Sequence, residues 1–177
     1  PLYPFSQKQQ SAGDKIHLDN VGYALMSSLF GIQGKRVITD GKPNTTFYPK
    51  ENEITSFSNG TNWFTRILFD VPVKPLVFDV DGISGVNMRG HGAQPNYGFS
   101  ILNNAGEEII TNITLSGSDA ITITTAENPE SLDLTYALTG VFGGGNLRDN
   151  QGNTITTTFN KITYRCDNWC PFFRIKL

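Results

Sequence analysis

The sequence predicts an all-β fold: an antiparallel β-sandwich of jelly-roll type with at most one short helix. Three observations predict it. Apolar and polar residues alternate with period two in one segment after another, as half-buried strands do. Threonine is abundant, and 18 Gly and 9 Pro punctuate the chain, which suits many strands joined by turns. Helical periodicity is scarce and no βαβ rhythm is present, so about ten strands are expected in two packed antiparallel sheets. Another Greek-key sandwich is the second choice. The 177 residues suffice for one domain with a sizeable core.

In chain order, residues 1–14 read as a linker and extended lead-in, and residues 15–177 as a single β-sandwich domain. His17, in "KIHLD", reads as an ordinary strand histidine. "VGYALMSSLFGI", Val21 to Ile32, is the one helix candidate, with Gly31 as its stop. "NWFTRILFDV" sets Trp63, Thr65, Ile67 and Phe69 opposite Phe64, Arg66, Leu68 and Asp70. A long polar stretch follows between Phe78 and Leu102, beyond the usual hairpin length. "YGFSILNNAGEEIITNITL" predicts a hairpin turning at Asn103–Gly106. "AITITTA" sets Ile121 and Ile123 against Thr122 and Thr124, and "SLDLTYALTG" aligns Leu132, Leu134, Tyr136 and Leu138. "NTITTTFNKITYRC" changes its apolar face at Asn160–Lys161, which predicts a bulge or turn there. "PFFRIKL" closes the chain, with Phe173, Ile175 and Leu177 alternating with Arg174 and Lys176. Trp63 and Trp169 read as core.

Composition excludes several function classes. A formal charge of -2 with 17% charged residues provides neither a nucleic-acid footprint nor a polybasic membrane patch. No apolar run approaches the roughly 20 residues of a membrane span. The chain opens at Pro1 and is expected to be part of a longer protein, so its lack of a targeting segment is uninformative. Cys166 and Cys170 lack the further ligands of a zinc site. A disulfide between them requires a turn through Asp167 and Asn168; the alternative is two reduced, buried thiols.

Catalytic sets are not legible. No Gly-x-Ser-x-Gly elbow or Gly-x-x-x-x-Gly-Lys loop is present, and Ser84 near His91 lacks a strand-to-helix elbow. Asp79 and Asp81 in "FDVDG" share a strand face. They read as solvated acids, as a candidate calcium site with loop carbonyls, or as a hydrolytic pair. Recognition is the better-supported chemistry. Sugar rings stack on aromatic faces while Asn, Gln, Asp and Arg take the hydroxyls. Two loops collect such groups: Asn87, Arg89, His91, Gln94, Asn96 and Tyr97 in one, and Asn146 to Gln151 in the other, where Arg148, Asp149 and Asn150 are the candidate contacts. Arg89 and Arg148 could each grip a carboxylate bidentately, as an acidic sugar requires, or pair within the protein.

The stretches "LDLTYALTGVFGGGNLRDN" and "DNWCPFFRIKL" carry a resemblance. The matching residues are Leu134–Ala137, Gly145–Asp149 and Asn168–Cys170. They resemble a "V-x-Y-A" strand, a glycine-rich turn ending "GNLRDS", and an "NWC" before the last strand in the C-terminal region of SGNH-type esterases, notably phage- and prophage-type sialate O-acetylesterases. Asn150 stands where that pattern has Ser, and Cys166 is not part of it. The match covers Leu132 to Leu177. The resemblance implies that catalysis lies in an upstream SGNH domain and that this chain is an accessory module. It also implies an extracellular or released setting and a sialylated, mucin-type glycan as partner. The same motifs would equally serve to lock a loop. The expectation is therefore a non-catalytic carbohydrate-binding module without a resident cofactor, with an assembly module and an esterase as rivals.

Overall fold

Alternation becomes strand where the apolar residues have a second sheet to face. The computed structural model describes residues 18, 20–41, 47–80, 93–138 and 144–177. Among them α1 (Asn20–Asp40) precedes twelve strands. These are β1 (Tyr48–Pro49), β2 (Thr55–Ser58), β3 (Trp63–Asp70), β4 (Val77–Phe78), β5 (Phe99–Ile101), β6 (Ile110–Leu115), β7 (Ala120–Thr125), β8 (Asp133–Tyr136), β9 (Leu147–Arg148), β10 (Thr156–Phe159), β11 (Ile162–Arg165) and β12 (Phe173–Lys176). One sheet runs β1-β3-β7-β6, with β2 also pairing to β3; the other runs β12-β8-β5. β10 with β11 and β4 with β9 form two further pairs, and every pairing is antiparallel.

The core lies between the two larger sheets. Ile67 and Phe69 of β3, Ile113 of β6, and Ile121 and Ile123 of β7 join Phe99 and Ile101 of β5, Leu134 and Tyr136 of β8, and Phe173 and Ile175 of β12. The register sets Ile67 beside Ile121 and Ile113 beside Ile123, so β-branched pairs line up across strands. Aromatic rings cross the sandwich: Phe173 lies 5.4 Å from Tyr136 in its own sheet and 6.4 Å from Phe69 in the other. Each such side chain contributes about 1.5–3 kcal/mol by leaving water. The all-β sandwich predicted from alternation is therefore the observed architecture.

Three local features refine the sequence reading. The helix runs 21 residues, to Asp40, instead of ending near Ile32. Gly31 and Gly34 sit within it on the exposed side, and the stop is Gly41, whose φ of 72° and N–H bond to the Val37 carbonyl close the last turn. A glycine in helix interior costs about 1 kcal/mol, which tertiary contacts here outweigh. Leu25 and Leu18 pack with Tyr164 and Trp169, seating α1 on the β10–β11 hairpin. Second, Leu138 is exposed and does not continue the Leu134–Tyr136 face. The left-handed Ala137 (φ 53°) ends the strand before alternation reaches it. Third, Asn160 and Lys161 (φ 49° and 65°) form the two-residue turn between β10 and β11. Two positive φ angles match the twist of the flanking strands.

Candidate functional site

Of the predicted sugar contacts, the described ones, Gln94, Asn96, Tyr97, Arg148, Asp149 and Asn150, fall around one corner of the sandwich, and the buried Asn146 organises it. Its backbone N–H donates to the Tyr97 carbonyl (3.0 Å), and its carbonyl accepts from Asp79 N–H (2.7 Å). Its side chain donates to the Asp79 carbonyl (2.9 Å) and accepts from Gln94 N–H (2.8 Å). Asn146 thus ties together the two chain segments that flank residues 81–92. Arg89 and His91, with Asp81, lie outside the described residues.

Gln94, Asn96 and Tyr97 are half-buried at this corner. Pro95–Gly98 forms a tight turn in which Asn96 (φ 48°) and Tyr97 (φ 55°) are both left-handed. Two consecutive residues of this kind, neither of them glycine, are uncommon. The Tyr97 ring stacks on Phe78, with centroids 4.0 Å apart and planes 7° apart. One face of the ring is therefore covered, and only the other could meet a sugar. Gly145 permits the close approach beneath: a Cβ there would collide with the Tyr136 hydroxyl, which accepts from Leu147 N–H at 2.9 Å.

The second predicted group has a different role. Arg148 and Asp149 are buried, and their partners lie inside the protein. Arg148 donates through Nε to Asp79 and through Nη1 to the Asp149 carbonyl (2.9 Å), with Asp167 at 3.5 Å. The Asp149 carboxylate accepts from Gln151 N–H (3.0 Å), Asn168 N–H (2.9 Å) and the Asn168 side-chain amide (2.7 Å). Burial pushes this carboxyl above its ordinary value of 3.8, although three hydrogen bonds pull the other way. Asn150 accepts from Arg165 at 3.2 Å and donates its N–H to the Val73 carbonyl. Of the three predicted sugar contacts here, Arg148 and Asp149 have almost no surface, Asn150 is half-buried, and all three are engaged by neighbours. Their network joins "NLRDN" to "DNWC" and reaches α1 through Arg36, which donates to Gln151 at 2.8 Å. Loop locking, the alternative raised by the motifs, is the geometry found.

The same network bears on the calcium and disulfide expectations. Asp79 faces a guanidinium where a calcium site would need a cation, and the described residues contain no group of three metal-ligating side chains. Cys166 and Cys170 are buried and form no disulfide with each other. Cys166 N–H bonds to the Ile155 carbonyl and Cys170 N–H to the Leu147 carbonyl, so each cysteine is held to a different segment. Burial pushes both thiols up, Cys170 well above the ordinary 9.0. Both therefore stay protonated and poorly nucleophilic.

Asn146 is legible in the sequence as the start of the second polar loop, but not as a clamp. Its place in "GGGNL" is visible, but its four hydrogen bonds go to Asp79, Gln94 and Tyr97 in two separate segments. No protein-family model matches the chain, and no curated protein or solved structure matches it.

Proposed function

We propose that this chain is a non-catalytic carbohydrate-binding module, attached to a sialate O-acetylesterase of the SGNH class and directing it to sialylated, mucin-type glycans. The observation that carries the reading is the Gln94–Tyr97 turn. Strained left-handed residues persist where surrounding structure holds them, and they cluster at ligand clamps. Here an aromatic ring with one face covered stands beside Gln94 and Asn96 on a rigid sandwich. In this reading Tyr97 stacks on the sugar, and Arg89 and His91 join from the adjoining segment. Such a single site binds weakly, at about 0.1–1 mM, or about 4–5.5 kcal/mol. Glycan-array binding followed by titration calorimetry tests it. Sialylated or mucin-type hits lost in Tyr97→Ala support it, and an array without such hits overturns it.

The same proposal includes jelly-roll connectivity. β6 pairs with β7 in one sheet, while their chain neighbours β5 and β8 pair in the other. That is the pattern left when one long hairpin is rolled across both sheets.

One observation favours a second reading, a module for assembly. Tyr23, Phe30 and Val37 recur every seven residues along α1 and are 46%, 68% and 48% exposed. A heptad-spaced apolar stripe suits helix pairing between copies. Light scattering after size exclusion decides: a defined oligomer that Phe30→Glu dissociates, without glycan binding, favours assembly.

A further inference from the structure

The outer face of the β12-β8-β5 sheet carries a groove that shares no residue with the Tyr97 corner. Alternation sends Phe173, Ile175, Leu134 and Tyr136 inward, so Arg174, Lys176, Asp133 and Thr135 turn outward. The register places Arg174 beside Thr135 and Thr135 beside Ser100, a row across three strands about 10 Å wide. Lys176 and Asp133 form the next row and pair at 3.5 Å. Leu102, Leu132 and Leu138 also line this groove of about 330 Å³. That volume lies in the range of small-ligand sites.

The charges in this groove do not balance. Arg174 and Lys176 supply two cations against the single carboxylate of Asp133, which leaves one positive charge. The Lys176–Asp133 pair accounts for two of the three, so the surplus sits on Arg174. Among the described residues Arg174 enters no ion pair or hydrogen bond. Thr135 donates its hydroxyl to the Ser100 carbonyl at 3.3 Å, and its oxygen keeps the capacity to accept from a donor. A free planar fork that matches a carboxylate, a hydroxyl row that meets further hydroxyls, and leucine side chains for an apolar ring face define one ligand chemistry.

We propose that this groove binds an acidic saccharide, with Arg174 holding the carboxylate and Thr135 a ring hydroxyl. The proposal rests on the carbohydrate-binding reading but assigns acid recognition to Arg174 in place of the buried Arg148. Its test is a titration of the full chain with N-acetylneuraminate, glucuronate, galactose and inorganic phosphate, followed by calorimetry and by the Arg174 Nε–H and Thr135 amide resonances. The expected result is binding of the two acids over galactose, shifts at both resonances, a loss of tenfold or more in Arg174→Ala, and a smaller loss in Arg174→Lys, which keeps the charge without the fork. Arg174 is exposed, so these variants test binding and not folding. Acid binding unchanged in Arg174→Ala overturns the groove assignment and leaves the carbohydrate reading intact. Phosphate binding as tightly as the acids at the same resonances overturns the saccharide class. Failure of every sugar here and of every glycan on the array overturns both readings together.

Discussion

Removing Arg148 separates its two assignable roles, ligand contact and internal lock. The Arg148 side chain retains 10% of its surface and that of Asp79 9%, so solvent screens their pair little. In Arg148→Ala the Asp79 carboxylate stays buried without its guanidinium, and the Asp149 carbonyl loses a donor. Breaking a buried pair from one side costs about 3–5 kcal/mol. A domain of this size has about 5–15 kcal/mol in total, and each kcal/mol moves Tm by about 2–4 °C. The expected fall in Tm is therefore about 6–20 °C. Adding Asp79→Asn removes the stranded charge and should restore about 1–3 kcal/mol. Urea denaturation of the single and double variants measures both quantities, and glycan titration below the transition should show unchanged affinity. A stability loss under about 1 kcal/mol, the range of solvent-exposed pairs, combined with lost glycan binding would refute the reasoning. It would mean that Arg148 reaches ligand.

Asp149 predicts a pH dependence. Its folded pKa is raised above 3.8 by burial, so the native state holds this proton more tightly than the unfolded chain. Its contribution to stability is present at low pH and is lost as pH rises from 3.8 through the folded value. Asp149→Asn should flatten that part of the profile relative to the parent, and identical slopes in denaturation series at stepped pH would count against the assignment. Both cysteines, reduced and buried, should resist an aromatic disulfide reagent until denaturant is added, after which two thiols react; fewer than two indicates a bridge. Lys161→Gly relieves a left-handed residue in an exposed turn and should stabilise by up to about 1 kcal/mol, read as a higher urea midpoint. A lower midpoint would show that Lys161 makes contacts outweighing its strain.

Much of the sandwich was legible because alternation is a local property. Thr65, Ile67 and Phe69, Ile121 and Ile123, and Phe173 and Ile175 face inward as their spacing predicts. The Asn103–Gly106 turn was readable for the same reason, since the Asn103 side chain accepts from Ala105 and Glu107 N–H within its own loop. The helix end was misread because Gly31 signals a stop by type, yet glycine stops a helix only where φ turns positive, and that occurs at Gly41. The roles of the arginines were the least legible. Arg148 lies in a polar stretch resembling a binding loop, while Arg174 lies in a plain alternating strand.

The sequence by itself determined the class of fold, the inward faces of the main strands and the residue types available for recognition, because side-chain period and turn chemistry act over a few neighbours. Tertiary structure alone decided which polar groups are used internally and which remain exposed. Asp79 is 69 residues from Arg148, and Ser100 is 35 from Thr135. Such partners are chosen by strand register and sheet order, and burial then separates a guanidinium locked to carboxylates from one left free in a groove.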